Sequence, residues 1–191
     1  MKETLKLKEV VVIAMISALL SVIFTMLDSI YQPLTAMLGE LGGDLIGGLY
    51  YLSALIPIFI VRKPGTALMG SLFTGVMNLL LGSPYGINII VAAILQGLGG
   101  EIIFAIGKYK KYSFINMALA GALATILVTV RDHFIFGFGL NADMIYIRIA
   151  ARIVSAMILG GVFSTMIANT LKATGVLNGF KIESKKDISK A

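Results

Sequence analysis

The run VVVIAMISALLSVIFTML, residues 10–27, carries no charged side chain. A helix rises about 1.5 Å per residue and a bilayer's hydrocarbon core is about 30 Å thick, so roughly 17–25 apolar residues span it. The run is too long for the apolar part of a cleaved leader, and no small-residue cleavage site precedes a soluble domain, so it reads as a retained membrane helix. Five further predominantly apolar runs follow, at 45–61, 66–81, 87–106, 114–136 and 145–171, the last three with one or two charged residues each. The third is short and the sixth long, which predicts tilt, local thinning or a partly interfacial end. The expected fold class is all-α integral membrane, six transmembrane helices in one domain over residues 1–191, ending in a polar cytoplasmic tail at 181–191.

Composition points the same way. Of 191 residues, 58% are hydrophobic and 14% charged, against about 45–50% and about 25% in soluble domains. The net charge of +6 sits on an oily chain, which excludes a disordered or nucleic-acid-binding protein. With no Cys and one His, disulfides, thiolate zinc sites, thiol catalysis and multi-histidine metal centres are excluded. No GxxxxGK[ST], HExxH or GxSxG occurs, so no ATP hydrolysis through the first motif, no catalytic residue, no cofactor and no metal are expected. A channel, a secondary transporter or the membrane subunit of a larger transporter remain. Six spans without matching halves are few for an inverted-repeat carrier.

The cations set the orientation. Lys2, Lys6 and Lys8 precede the first run, Arg62 and Lys63 join the second to the third, Lys108, Lys110 and Lys111 join the fourth to the fifth, and Lys172, Lys181, Lys185, Lys186 and Lys190 follow the sixth. The alternate connections, 28–44, 82–86 and 137–144, hold no Lys or Arg. Both termini are therefore expected to be cytoplasmic. The connection 28–44, with Tyr31, Pro33, Leu34, Met37 and Leu38, reads as a long external loop, either a lid over a site or a segment resting on lipid.

Ionisable groups inside a membrane cost about 2.5–3.5 kcal/mol each on insertion scales and need a partner or a wet cavity. Arg148 and Arg152 share one helix face, with Asp132 and Glu101 as the expected counter-charges and Arg131 and His133 nearer the outer surface. In the same outer half lie Tyr50, Asn78, Tyr85, Asn88 and Gln96, with Asp44 entering the second run and Tyr31 in the connection before it. Each alone serves equally as helix–helix glue. Together, amides and aromatics suit a compact, planar, hydrogen-bonding solute. Ala14 and Ala18, one turn apart, allow close helix approach, within the bundle or with a partner. Glu101, Asp132, His133 and Arg131 also admit a membrane enzyme with an acid–base cluster, though no nucleophile–base pair is visible.

Four stretches carry a resemblance. They are Arg62-Lys63-Pro64-Gly65-Thr66-Ala67-Leu68, Leu80-Leu81-Gly82-Ser83-Pro84-Tyr85-Gly86, Gln96-Gly97-Leu98-Gly99-Gly100-Glu101 and Thr174-Gly175-Val176-Leu177-Asn178-Gly179. In order and spacing the chain resembles the YkoE family of substrate-binding (S) components of energy-coupling factor (ECF) transporters, from about residue 6 to 179. The resemblance implies a plasma-membrane, multi-pass subunit that captures thiamine or its hydroxymethylpyrimidine precursor outside the cell. It also implies a transmembrane coupling protein (T component) and cytoplasmic ATPases as partners, with Ala14 and Ala18 touching the coupling protein. The family's usual residue is acidic where Asn78 stands and often a larger aromatic where Tyr50 stands. That difference leaves Asp44, Asp132 or Glu101 to supply negative charge, or points to a different water-soluble vitamin.

Overall fold

The structure, a computed structural model, describes residues 4–138 and 144–183. Lys2, Lys185, Lys186, Lys190, most of the 137–144 connection and most of the 181–191 tail lie outside the described residues. The described residues form helices α1 (Leu7–Leu38), α2 (Glu40–Ile46), α3 (Leu52–Val61), α4 (Thr66–Leu80), α5 (Asn88–Ile106), α6 (Phe114–Phe136), α7 (Ile145–Ser155) and α8 (Phe163–Ala173). A 3₁₀ turn at Gly47–Tyr51 joins α2 to α3, and a π-helical stretch at Ala156–Val162 joins α7 to α8. Each joined set is one crossing, so six crossings result, α4 being the short one at 15 residues.

All ten residues of α3, LSALIPIFIV, are buried. A helix apolar on every side belongs at the centre of a bundle, and α3 packs against α1, α4, α5 and α8 there. The helix runs through Pro57, and Gly70 of α4 meets that ring and the Ser53 carbonyl so closely that a side chain at position 70 would collide with both. Ser17 of α1 closes the same junction by donating to the Gly70 carbonyl at 3.0 Å.

One end of the bundle gathers the cationic connections. Arg62, in the left-handed region (φ 56°), terminates α3. Lys63 is buried and donates to Glu9 at 2.8 Å and to the Thr4 carbonyl at 3.0 Å. Lys8 donates to the Asn178 carbonyl at 2.8 Å, tying the start of α1 to the segment after α8.

The other end departs from expectation. Residues 28–38 are not a loop: α1 runs unbroken for 32 residues, through Pro33, to Leu38. Polar residues there are helix-compatible, and Ser29 and Thr35 bond back to the Thr25 and Tyr31 carbonyls within the helix. Pro33 forgoes one backbone hydrogen bond without ending it. Only Gly39 breaks the chain (φ 70°, ψ −176°), a conformation open essentially to glycine alone. From there α2 folds back toward α7, and Gly48 takes Ser155 Oγ on its backbone N–H at 3.0 Å, a contact too close for any side chain at that position.

Candidate functional site

The end opposite the buried Lys63 opens into a cavity of about 870 Å³ between α1, α2, α5, α6 and α7. Its aromatic wall is Tyr31, Tyr50, Tyr51 and Tyr85. Tyr31 and Tyr85 meet edge to face with centroids 6.5 Å apart, and Tyr50 is braced the same way by Phe24 at 5.0 Å. Tyr51 donates to Thr125 Oγ1 at 2.6 Å. Burial pushes the Tyr85 phenol up to about 12, with Tyr31 and Asp28 adding to the shift, so it stays a neutral hydroxyl.

Opposite stands a ladder of charges. Asp44, with no exposed side-chain surface, receives Arg148 Nε at 2.8 Å and Arg152 Nε at 2.6 Å. Arg152 also reaches Asp132 at 2.6 Å, and Arg131 meets the other oxygen of Asp132 at 2.9 Å. Arg148 pairs in addition with the exposed Glu40. Phe138 lies under both outer rungs, 4.4 Å from the Arg148 guanidinium carbon and 4.0 Å from that of Arg152. Charges withdrawn from water persist when each is paired and hydrogen-bonded; this ladder pairs every guanidinium lining the cavity, while Arg131 Nε and Asp132 Oδ1 are buried without a hydrogen bond.

Of the residues singled out in the sequence, Tyr31, Asp44, Tyr50, Tyr85, Gln96 and Arg148 line the cavity, together with Arg131, Asp132 and Arg152. Asn78 sits one layer behind, bonded to Thr25 and Asp28. Asn88 is half-buried, and its backbone carbonyl accepts from Arg131 at 3.4 Å. His133 is exposed, its ring 2.7 Å from the Phe138 carbonyl. Ala14 is exposed and Ala18 half-buried on α1.

Glu101 corrects the reading from sequence. It does not join Asp132 and Arg152 but lies at the opposite end, accepting from the Ala67 backbone N–H at 2.7 Å and from Tyr109 at 2.8 Å. A carboxylate there satisfies a free donor in the first turn of α4, which has no side-chain cap of its own. Burial, then the adjacent Glu101, pushes the Tyr109 phenol well above its ordinary value.

Asp28 was overlooked as a site residue. It is 1% exposed and lines the cavity. It accepts from Tyr50 at 2.6 Å, Ser83 at 2.8 Å and Asn78 at 3.3 Å. Its signal was present: an acid in a turn that continues an uncharged run needs a reason to be there. Tyr51 stands beside Tyr50 in the second run and shares its wall, whereas Thr125, inside a span, and Phe138, in the 137–144 connection, carried no signal of their own.

Comparison with known proteins places these features. A solved structure described as an S-component of an ECF transporter superposes with a TM-score of 0.90 at 30% identity, covering 94% of this chain and 91% of its own. Helix order and cavity thus define the class: an S component, a membrane transport subunit and not an enzyme. A family model described as the ABC-type cobalt transport system, permease component, matches residues 8–127. YkoE of Bacillus subtilis (strain 168), named for HMP/thiamine permease function, is 31% identical over 189 residues, 97% of this chain and 95% of its own length. The chain belongs to the YkoE family of ECF S components.

Proposed function

We propose that this chain captures thiamine or its hydroxymethylpyrimidine precursor at the outer face of the plasma membrane and delivers it inward with a coupling protein and cytoplasmic ATPases. The observation that carries the substrate is the charge of the cavity: Asp28, Glu40, Asp44 and Asp132 face Arg131, Arg148 and Arg152, one negative charge in excess, beside a wall of tyrosines. That lining suits a flat aromatic solute that is cationic or neutral. The volume falls within the usual range for small-molecule sites, about 300–1,000 Å³. The name of the Bacillus relative points to the same solutes. Cobalt is not carried over from the family description, because among the described residues no three His, Cys, Asp or Glu side chains converge as a metal site.

An external mouth follows from the cations: Lys8, Lys63, Lys108, Lys110 and Lys111 lie at or beyond helix ends remote from the cavity, and such residues favour the cytoplasm. Titration of the purified protein with thiamine and with hydroxymethylpyrimidine tests the reading; binding of neither at micromolar concentration rejects the substrate. A different water-soluble vitamin, one bearing a carboxylate, is the second reading. It rests on Arg148, whose partner Glu40 is exposed and so exchangeable. A thermal-shift screen of vitamins separates the two.

A further inference from the structure

The excess negative charge of the cavity has one owner. Asp44, Asp132 and Glu40 are each matched to a guanidinium. Asp28 pairs with no cation among the described residues; its oxygens are held by three neutral donors, Tyr50 from the 47–51 turn, Asn78 from α4 and Ser83 from the 81–87 turn. Neutral donors of this kind orient a buried carboxyl group but bring no positive charge to cancel its own. The field is felt next to Tyr50, which hydrogen-bonds to Asp28 and lines the cavity beside Tyr31 and Tyr85. The walls are therefore unlike: tyrosine faces backed by a bare anion on one side, a self-neutralised arginine ladder on the other.

We propose that Asp28 is the charge-selecting residue of this site. With Tyr31, Tyr50 and Tyr85 it forms a subsite for a permanently cationic aromatic ring, while the ladder around Asp44 faces the ligand's neutral, hydrogen-bonding end. Ring faces attract a cation through their quadrupoles, and Asp28 adds a Coulombic term that a neutral ligand does not feel. Because Asp28 is almost wholly covered, it acts through space and through the Tyr50 phenol.

The inference rests on the thiamine reading, and the test separates the two. Isothermal titration at a pH where hydroxymethylpyrimidine is uncharged compares that neutral ligand with thiamine, whose thiazolium is always cationic. An opposite charge nearby shifts charged-state equilibria by about 10- to 1,000-fold, so Asp28→Asn is expected to weaken thiamine by about tenfold or more and hydroxymethylpyrimidine by less than about threefold. Asp28→Glu, which keeps the charge, restores the ratio. Equal loss for both ligands makes Asp28 a structural tether only and overturns the proposal. Should Asp28→Asn fail to fold, Tyr50→Phe uncovers the carboxylate without removing it. The ratio in favour of thiamine is then kept or raised, and a fall overturns the proposal. Wild-type protein that binds neither ligand rejects the substrate reading and this inference with it; wild-type protein that binds both, with no change of ratio in Asp28→Asn, rejects the inference alone.

Discussion

Asp44 has no exposed side-chain surface yet holds two guanidiniums, so its removal strands charge where water does not reach. Breaking a buried pair costs about 3–5 kcal/mol. Asp44→Asn is expected to lower the Tm of the detergent-solubilised protein accordingly, and adding Arg152→Gln to recover part of the loss. Glu101 predicts the opposite pattern. Glu101→Ala leaves the Ala67 N–H unsatisfied, at about 1–3 kcal/mol, while ligand affinity stays unchanged because the cavity lies at the other end. Tyr85 adds a pH signature. Its folded value, about 12, lies above the ordinary 10, so the folded chain holds the proton longer than the unfolded one. Stability is full below about 10 and declines as pH climbs toward about 12; Tyr85→Phe flattens that part of a Tm-against-pH curve. Among these residues, those whose partners lie across the bundle were the hardest to read. Glu101 and Asp132 are both isolated acids in apolar spans, and only packing says that one caps a helix and the other belongs to the ladder.

At the scale of elements, the helix limits were legible to within a residue or two for α4, α5 and α6, because predominantly apolar runs of about membrane length admit few other structures. The outer third of α1 was not. A stretch with Asp, Ser, Tyr, Gln and Pro has the composition of a loop, and its helicity rests on contacts from other elements: Ser83 and Tyr50 on Asp28, and Tyr31 against Tyr85. Gly39 then becomes the critical joint. Its backbone conformation costs about 1–3 kcal/mol for a residue with a side chain, so Gly39→Ala is expected to destabilise the protein by that amount. It should also weaken ligand binding by displacing α2, which carries Glu40 and Asp44. A variant with unaltered Tm and affinity would show that the joint is not needed.

For the whole molecule, the alternation of cationic and cation-free connections foretold which ends of the helices share a face, and the proposed coupling follows from the outer surface. Ala14 faces outward and Ala18 is half-covered on a helix whose other outward residues include Val11, Met15 and Leu19. Ala14→Leu and Ala18→Leu are each expected to abolish uptake in cells supplied with partner subunits, while the purified chain binds its solute as before. Uptake that survives both changes removes that role. The great length of α1 has its own result. A rod of 32 residues measures about 48 Å, well beyond an oil layer of about 30 Å. The surplus lies at the end bearing Asp28, Tyr31 and Thr35, so one side of the solute's seat rides at or above the waterline, and its depth of immersion is set by the acyl chains around it. If the proposed capture at the outer face holds, solute affinity in liposomes of graded acyl length is expected to change with bilayer thickness, and an affinity independent of chain length would show that tilt absorbs the surplus.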